Sequence, residues 1–184
     1  MSAMVLRMPQ ALRRYARDRR GVSAVEFALL APLMIGLYLG CAEISDGVAA
    51  DRKVSLIAAT LANLTSQVST ISTSDMTNIL DASSAIVAPY AASKLKMSIS
   101  CLNIDSTGKA TVKWSVTRNG TVKSGVLSIP SALAVPNSQL IFAETSYAYT
   151  PTVGYTITGT LTLSDQMYMA PRITAPTYGS TACT

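Results

Sequence analysis

Near its start the chain reads RRGVSAVEFALLAPLMIGLYLGCAE over residues 19–43, and the residue inside its apolar run that could do acid–base or ion-pair chemistry is Glu26. It is the only charged residue from Gly21 to Ala42. An isolated carboxylate at a bilayer centre costs roughly several kcal/mol, so an acid in such a run needs a cationic partner or a shallow position. Outside this run no catalytic constellation assembles. The chain has no His, which removes the commonest general base, the commonest metal ligand and the usual triads. Cys41, Cys101 and Cys183 are too scattered for a CxxC or zinc pattern, and GxGxxG, P-loop, HExxH and GxSxG motifs are absent. No spacing sets two of the ten acids together. The expectation is a protein that is not an enzyme and uses neither cofactor nor metal.

The formal charge of +5 lies in one block. Arg7, Arg13, Arg14, Arg17, Arg19 and Arg20 face only Asp18 in residues 1–20, and the remaining basic and acidic residues cancel. The bulk of the chain therefore offers no electrostatic footprint for nucleic acid. The block reads instead as a topology signal. Residues 22–43 form a helix long enough, at about 1.5 Å per residue, to cross a hydrocarbon core of ~30 Å. A secretory signal peptide is the rival reading, but its apolar region is shorter and ends in a cleavage site on the far side. The arginines before the span and the mixed EISDGVAADRK after it put the N-terminus in the cytoplasm and the rest outside, by the positive-inside rule.

The junction RRG|VSAVEF resembles the cleavage site of class III prepilins, which a membrane-embedded aspartyl peptidase cuts after a glycine. On that pattern Gly21 is the glycine, Val22 the new N-terminus, Glu26 the fifth residue of the mature chain and Phe27 the aromatic sixth. The longer string RRGVSAVEFALLAPLMIGLYLGCAEI is similar to the N-terminal domain of TadE-like proteins, minor pseudopilins of tight-adherence pili, over about residues 17–65. ETSYAYTP and MYMAPR are loosely similar to the C-terminal half of TadE- and TadG-like proteins. The resemblance implies a minor pilin or pseudopilin, processed after Gly21. Its implied partners are the prepilin peptidase, the major pilin, other pseudopilins, the inner-membrane platform of the pilus and membrane lipid. It implies a place in the inner membrane with a periplasmic C-terminal domain, or incorporation in an extracellular pilus. The alternative is an uncleaved, single-pass anchored binding domain.

Cleavage before Val22 would leave an α-ammonium four residues from Glu26. In a bundle of such helices the ammonium of one subunit can pair with the carboxylate of its neighbour, offsetting two charges that are each costly in low dielectric. Glu26 would then mark one axial register. The plainer reading leaves Glu26 at the headgroup level, since it lies only five residues into the apolar run. Along the same span Pro32 removes a backbone donor and is expected to kink the helix, and Gly36 and Gly40 form a GxxxG that would let another helix approach. Proline and glycine are also simply frequent in membrane helices.

The elements around this span follow from periodicity. Val54, Ile57, Leu61, Leu64, Val68 and Ile71 recur every three or four residues, which predicts one helix from about Val22 to about Thr70, loosened at Gly47, whose stripe packs on the chain's own sheet. STSDMTNILDASSAIVAPY predicts a second short helix, with Ser74 as N-cap and Pro89 as stop. From Leu95 the period is two. Leu95, Met97, Ile99 and Cys101 alternate with Lys96, Ser98 and Ser100, and Val112, Trp114 and Val116 with Thr111, Lys113 and Ser115. Asn119-Gly120 predicts a tight hairpin into TVKSGVLSI. QLIFAETSYAYTP predicts a strand, and VGYTITGTLTLSDQMYMAPR a last strand or an extended arm. The expected fold is α+β, pilin-like, with an antiparallel sheet of about four strands covered by the helices on one face. The expected boundaries are 1–21 for a basic leader, 22–43 for the span, 44–92 for a helical region and 93–184 for the β domain. Trp114 and the tyrosines are expected in the core and on sheet faces rather than as a carbohydrate platform. Both Cys101 and Cys183 fall outside the membrane, where a disulfide can form; their pairing is expected, with Cys41 as a competing partner.

Overall fold

The structure, a computed structural model, describes residues 20–152 and 159–184. The arginine-rich leader through residue 19, and the 153–158 part of the segment read as a last strand or arm, lie outside the described residues. Helix α1 runs Arg20–Ser66, then come β1 (Thr70–Ile71) and α2 (Thr73–Ala85). The strands β2 (Leu95–Ile104), β3 (Ala110–Arg118), β4 (Val126–Leu127), β5 (Ser138–Tyr149), β6 (Leu161–Met169) and β7 (Thr177–Tyr178) follow. Two units divide the chain, one ending at Ala42 and one comprising Glu43–Thr184.

In the second unit the fold is α+β. The sheet has five strands in the order β4–β3–β2–β5–β6, every pairing antiparallel. The expected four become five because a two-residue β4 pairs with Ala110 and Thr111. From Glu43 onward α1 presents Ala50, Val54, Ile57, Leu61 and Ala62 to Leu95, Met97, Ile99, Cys101, Ile141 and Ala143 of the sheet. These positions on α1 are spaced by three, four and one, an apolar stripe that period 3.6 gathers on one side. Burying a side chain of this size contributes about 1.5–3 kcal/mol, so this stripe is a main source of stability. A polar link crosses the same interface, where Thr145 Oγ1 donates to the Val54 carbonyl at 3.0 Å.

Several sequence expectations need correction. α1 stops at Ser66, short of Thr70, and continues without a break through Gly47. Ile71 belongs to β1 and pairs in parallel register with Tyr178 of β7. The last turn of α1 is closed by the tail, since Arg172 N donates to the Ser66 carbonyl at 2.9 Å. The N-cap of α2 is Ser72 rather than Ser74: its hydroxyl accepts from Asp75 N, and Asp75 answers by accepting from Ser72 N, a capping box. Ser74 Oγ instead shares a hydrogen bond of 2.8 Å with Ser72 Oγ.

Asn119-Gly120 does not make a two-residue hairpin. Asn119 takes φ 55, as Asn tolerates, but its side chain donates to the Leu95 carbonyl and the chain then swings away before β4. Val112 and Trp114 also part company. The ladder pairs Cys101 with Trp114 but Leu102 with Val112, so an extra residue, Lys113, bulges out. Trp114 therefore faces α1, whereas Val112 joins a second small cluster of Leu102, Ile104, Ala110, Leu140 and Phe142 on the opposite face. Buried Trp114 donates its indole N–H to the Pro176 carbonyl at 3.0 Å, a core role. Cys101 and Cys183 are joined by a disulfide, their Cα atoms 5.9 Å apart, and both are fully buried.

Candidate functional site

The first unit presents an unusual surface. From Gly21 to Ala42 every residue of α1 is exposed except half-buried Ala31, although most are apolar. Phe27, Leu29 and Tyr38 are 68%, 75% and 74% exposed, which in water would be a severe liability over so many consecutive turns. Length and composition qualify this helix to cross a membrane. Pro32 lies inside the helix and does not end it.

Gly21, Val22, Glu26 and Phe27 all lie in the opening turns of α1, exposed. Val22 and Glu26 are four residues apart, which puts them one above the other on a single face. Pro32, Gly36 and Gly40 repeat this spacing of four and form a second line. At Gly36 and Gly40 an added Cβ would meet nothing within 4 Å, so the helix surface there is flat and open. Cys41 is exposed and stands outside the disulfide.

At the start of the second unit lies a group that periodicity did not reveal. Asp46, one turn past the apolar run, accepts hydrogen bonds from the Tyr90 phenol at Oδ1 (2.7 Å) and the Tyr149 phenol at Oδ2 (3.0 Å). Tyr90 also stands 6.0 Å from Tyr147 and 6.3 Å from Tyr149, ring centre to ring centre. Burial, and then the Asp46 carboxylate, push the Tyr90 and Tyr149 phenols up to about 12. The Tyr149 ring packs over Gly47, where a Cβ would stand 3.6 Å from Tyr149 Cε1, an ordinary contact. The arrangement is a clamp: a protonated phenol on each carboxylate oxygen fixes the Asp46 turn of α1 against the sheet. Its sequence signal was only one of several acids after the span and tyrosines at alternate positions in β5.

Among the described residues no cluster of three or more His, Cys, Asp or Glu could hold a metal ion. What the first unit offers chemically is one acid, Glu26, in an otherwise apolar run from Gly21 to Ala42.

Residues 21–62 match the family model of the TadE-like protein. No curated protein and no solved structure matches the chain. The matched segment begins at Gly21 and ends inside α1, so it covers the apolar run, the Asp46 turn and the stripe that meets the sheet, but none of the strands. Over residues 21–62 the chain is similar to TadE-like proteins.

Proposed function

We propose that this chain is a minor pilin or pseudopilin, a structural part in assembly of a tight-adherence pilus. Residues 1–21 form a cytoplasmic leader, 22–43 span the inner membrane, 44–92 continue as helical structure outside it, and 93–184 form the periplasmic β domain. Prepilin peptidase cuts between Gly21 and Val22. The single observation carrying this reading is that the TadE-like match opens at Gly21, the residue after which the cut falls, on a helix whose apolar surface has no cover of its own.

Once cut, Val22 carries an α-ammonium on the same helix face as Glu26. Within one helix the two are about 6 Å apart along the axis, too far for a tight contact. A neighbouring helix displaced along the bundle brings its own Glu26 level with that ammonium, and each charge then relieves the other's desolvation. Pro32, Gly36 and Gly40 give neighbouring helices a surface for close approach. The helix partners are the major pilin and other pseudopilins, with the membrane platform as the site of assembly.

N-terminal sequencing of the chain purified from cells with and without the peptidase tests the cut. A chain starting at Val22 in the first and at Met1 in the second is expected. A chain starting at Met1 in both would replace this reading with an uncleaved, membrane-tethered binding domain.

A further inference from the structure

The face of the sheet turned away from α1 carries a walled polar pocket. Its floor is two cross-strand rows. In one, Ser98 of β2 lies opposite Glu144 of β5, which lies opposite Gln166 of β6; in the other, Lys96, Ser146 and Ser164 line up in the same way. The wall is the segment after β3, Asn119 to Lys123, which leaves the sheet and returns over it. That segment is tied down at three points. Asn119 Nδ2 donates to the Leu95 carbonyl at 3.0 Å, Lys123 N donates to Ser115 Oγ at 3.1 Å, and Lys123 Nζ pairs with Glu144 Oε2 at 2.7 Å. Gln166 Nε2 holds the other oxygen of Glu144 at 3.2 Å. The wall also requires a glycine, because a Cβ on Gly120 would stand 2.6 Å from Thr117 Oγ1. The pocket is open to solvent on one side and has a volume of about 270 Å³.

Ser98 gives this pocket its significance. It is 5% exposed, lines the cavity, and its hydroxyl has no hydrogen-bond partner among the described residues. A buried hydroxyl left unpaired lowers stability by the cost of its lost hydration, so a ligand that supplies the partner binds favourably there. The neighbouring Ser146, Ser164 and Thr121 line the same pocket, and a hydroxyl can donate one hydrogen bond and accept two, the capacity that ring hydroxyls of a sugar match. Lys96 adds an exposed ammonium at the rim, and with Lys123 against Glu144 the pocket carries one net positive charge. The lining has neither arginine nor an aromatic face, so phosphate clamping and base stacking are not what it suits.

We propose that this pocket binds a saccharide unit bearing a carboxylate, a uronic acid, with the sugar hydroxyls on Ser98, Ser146 and Ser164 and the carboxylate on Lys96. The site is independent of the N-terminal helix and of its processing.

The test uses the full chain in a detergent that contains no sugar, titrated by calorimetry with glucuronate or galacturonate, glucose, and acetate. Saturable one-to-one binding of a uronate is expected, with a Kd on the order of 1 mM, as befits a single sugar unit. Lys96→Gln is expected to weaken uronate binding by about tenfold, the loss of one charged hydrogen bond, and to leave any glucose binding unchanged. Ser98→Ala is expected to weaken uronate binding severalfold while raising the unfolding temperature, because it removes an unpaired buried group. Both variants keep the N-terminus found for the unsubstituted chain, which separates this site from the pilus role. Three results would overturn the proposal: no saturable uronate binding, acetate binding as tightly as uronate, or uronate binding indifferent to both substitutions.

Discussion

The Tyr149 phenol donates to Asp46 Oδ2 across 3.0 Å, tying the end of β5 to the first turn of α1 that follows the apolar run. Tyr90, from the segment between α2 and β2, occupies the other carboxylate oxygen. Within the second unit this pair of hydrogen bonds, with the apolar stripe of α1 beyond it, holds the Asp46 turn against the sheet.

The clamp has a pH signature. Folding favours the protonated phenols of Tyr90 and Tyr149, whose pKa values rise from 10.0 to about 12. Their contribution is therefore complete below the unfolded pKa and is lost as the pH climbs from about 10 to about 12. Chemical-denaturation midpoints across that range should fall, and the double variant Tyr90→Phe, Tyr149→Phe should fall less steeply. Asp46→Ala, at neutral pH, should cost about 1 kcal/mol, the worth of hydrogen bonds to a solvent-facing carboxylate.

The disulfide closes a sequence separation of 82 residues between Cys101 and Cys183. Constraining the unfolded chain over so long a loop is typically worth ~2–4 kcal/mol. Reductant should lower the urea midpoint of the unsubstituted chain accordingly and leave that of Cys101→Ala, Cys183→Ala unmoved, the two ending close together.

Trp114 holds the tail through its indole N–H on the Pro176 carbonyl and through Tyr178, whose ring lies 5.7 Å away. Trp114→Phe keeps a ring but leaves that carbonyl without its donor, at about 1–3 kcal/mol. Hydrogen exchange should report where the loss lands: the amides of Thr177 and Gly179, which bond Ser69 and Ile71, should exchange faster than amides in the middle of β2.

Gly40→Leu separates the helix surface from the folded domain. Nothing lies within 4 Å of the added Cβ, so the thermal midpoint of the second unit should stay within experimental error. Piliation of cells carrying the variant should fall if neighbouring helices approach along Pro32, Gly36 and Gly40. Glu26→Gln, which removes the charge and keeps the shape, should also reduce piliation without altering that midpoint. Wild-type piliation in both variants would remove the helix-packing role.

Sequence alone determined the parts of this protein that repeat a local rule. An apolar run with a single acid specifies a helix without a soluble partner, and the stripe Val54, Ile57, Leu61 specifies which side of its extension is buried, because both depend only on neighbours along one helix. Alternation from Leu95 onward did the same for β2 and for the Thr145, Tyr147, Tyr149 face of β5. Tertiary structure decided whatever depended on residues far apart in the chain. The bulge at Lys113 turned Val112 away from Trp114, and the Asn119 side chain was taken by Leu95, so the strongest local turn signal made a wall instead of a hairpin. Ile71 left the helical stripe because β7, more than a hundred residues on, offered its backbone a partner. Asp46 gained its two phenols only when α1 met β5. A hydrogen bond or ladder closed across such distances leaves no period in the sequence, since its free energy is set by where the whole fold brings donor and acceptor together.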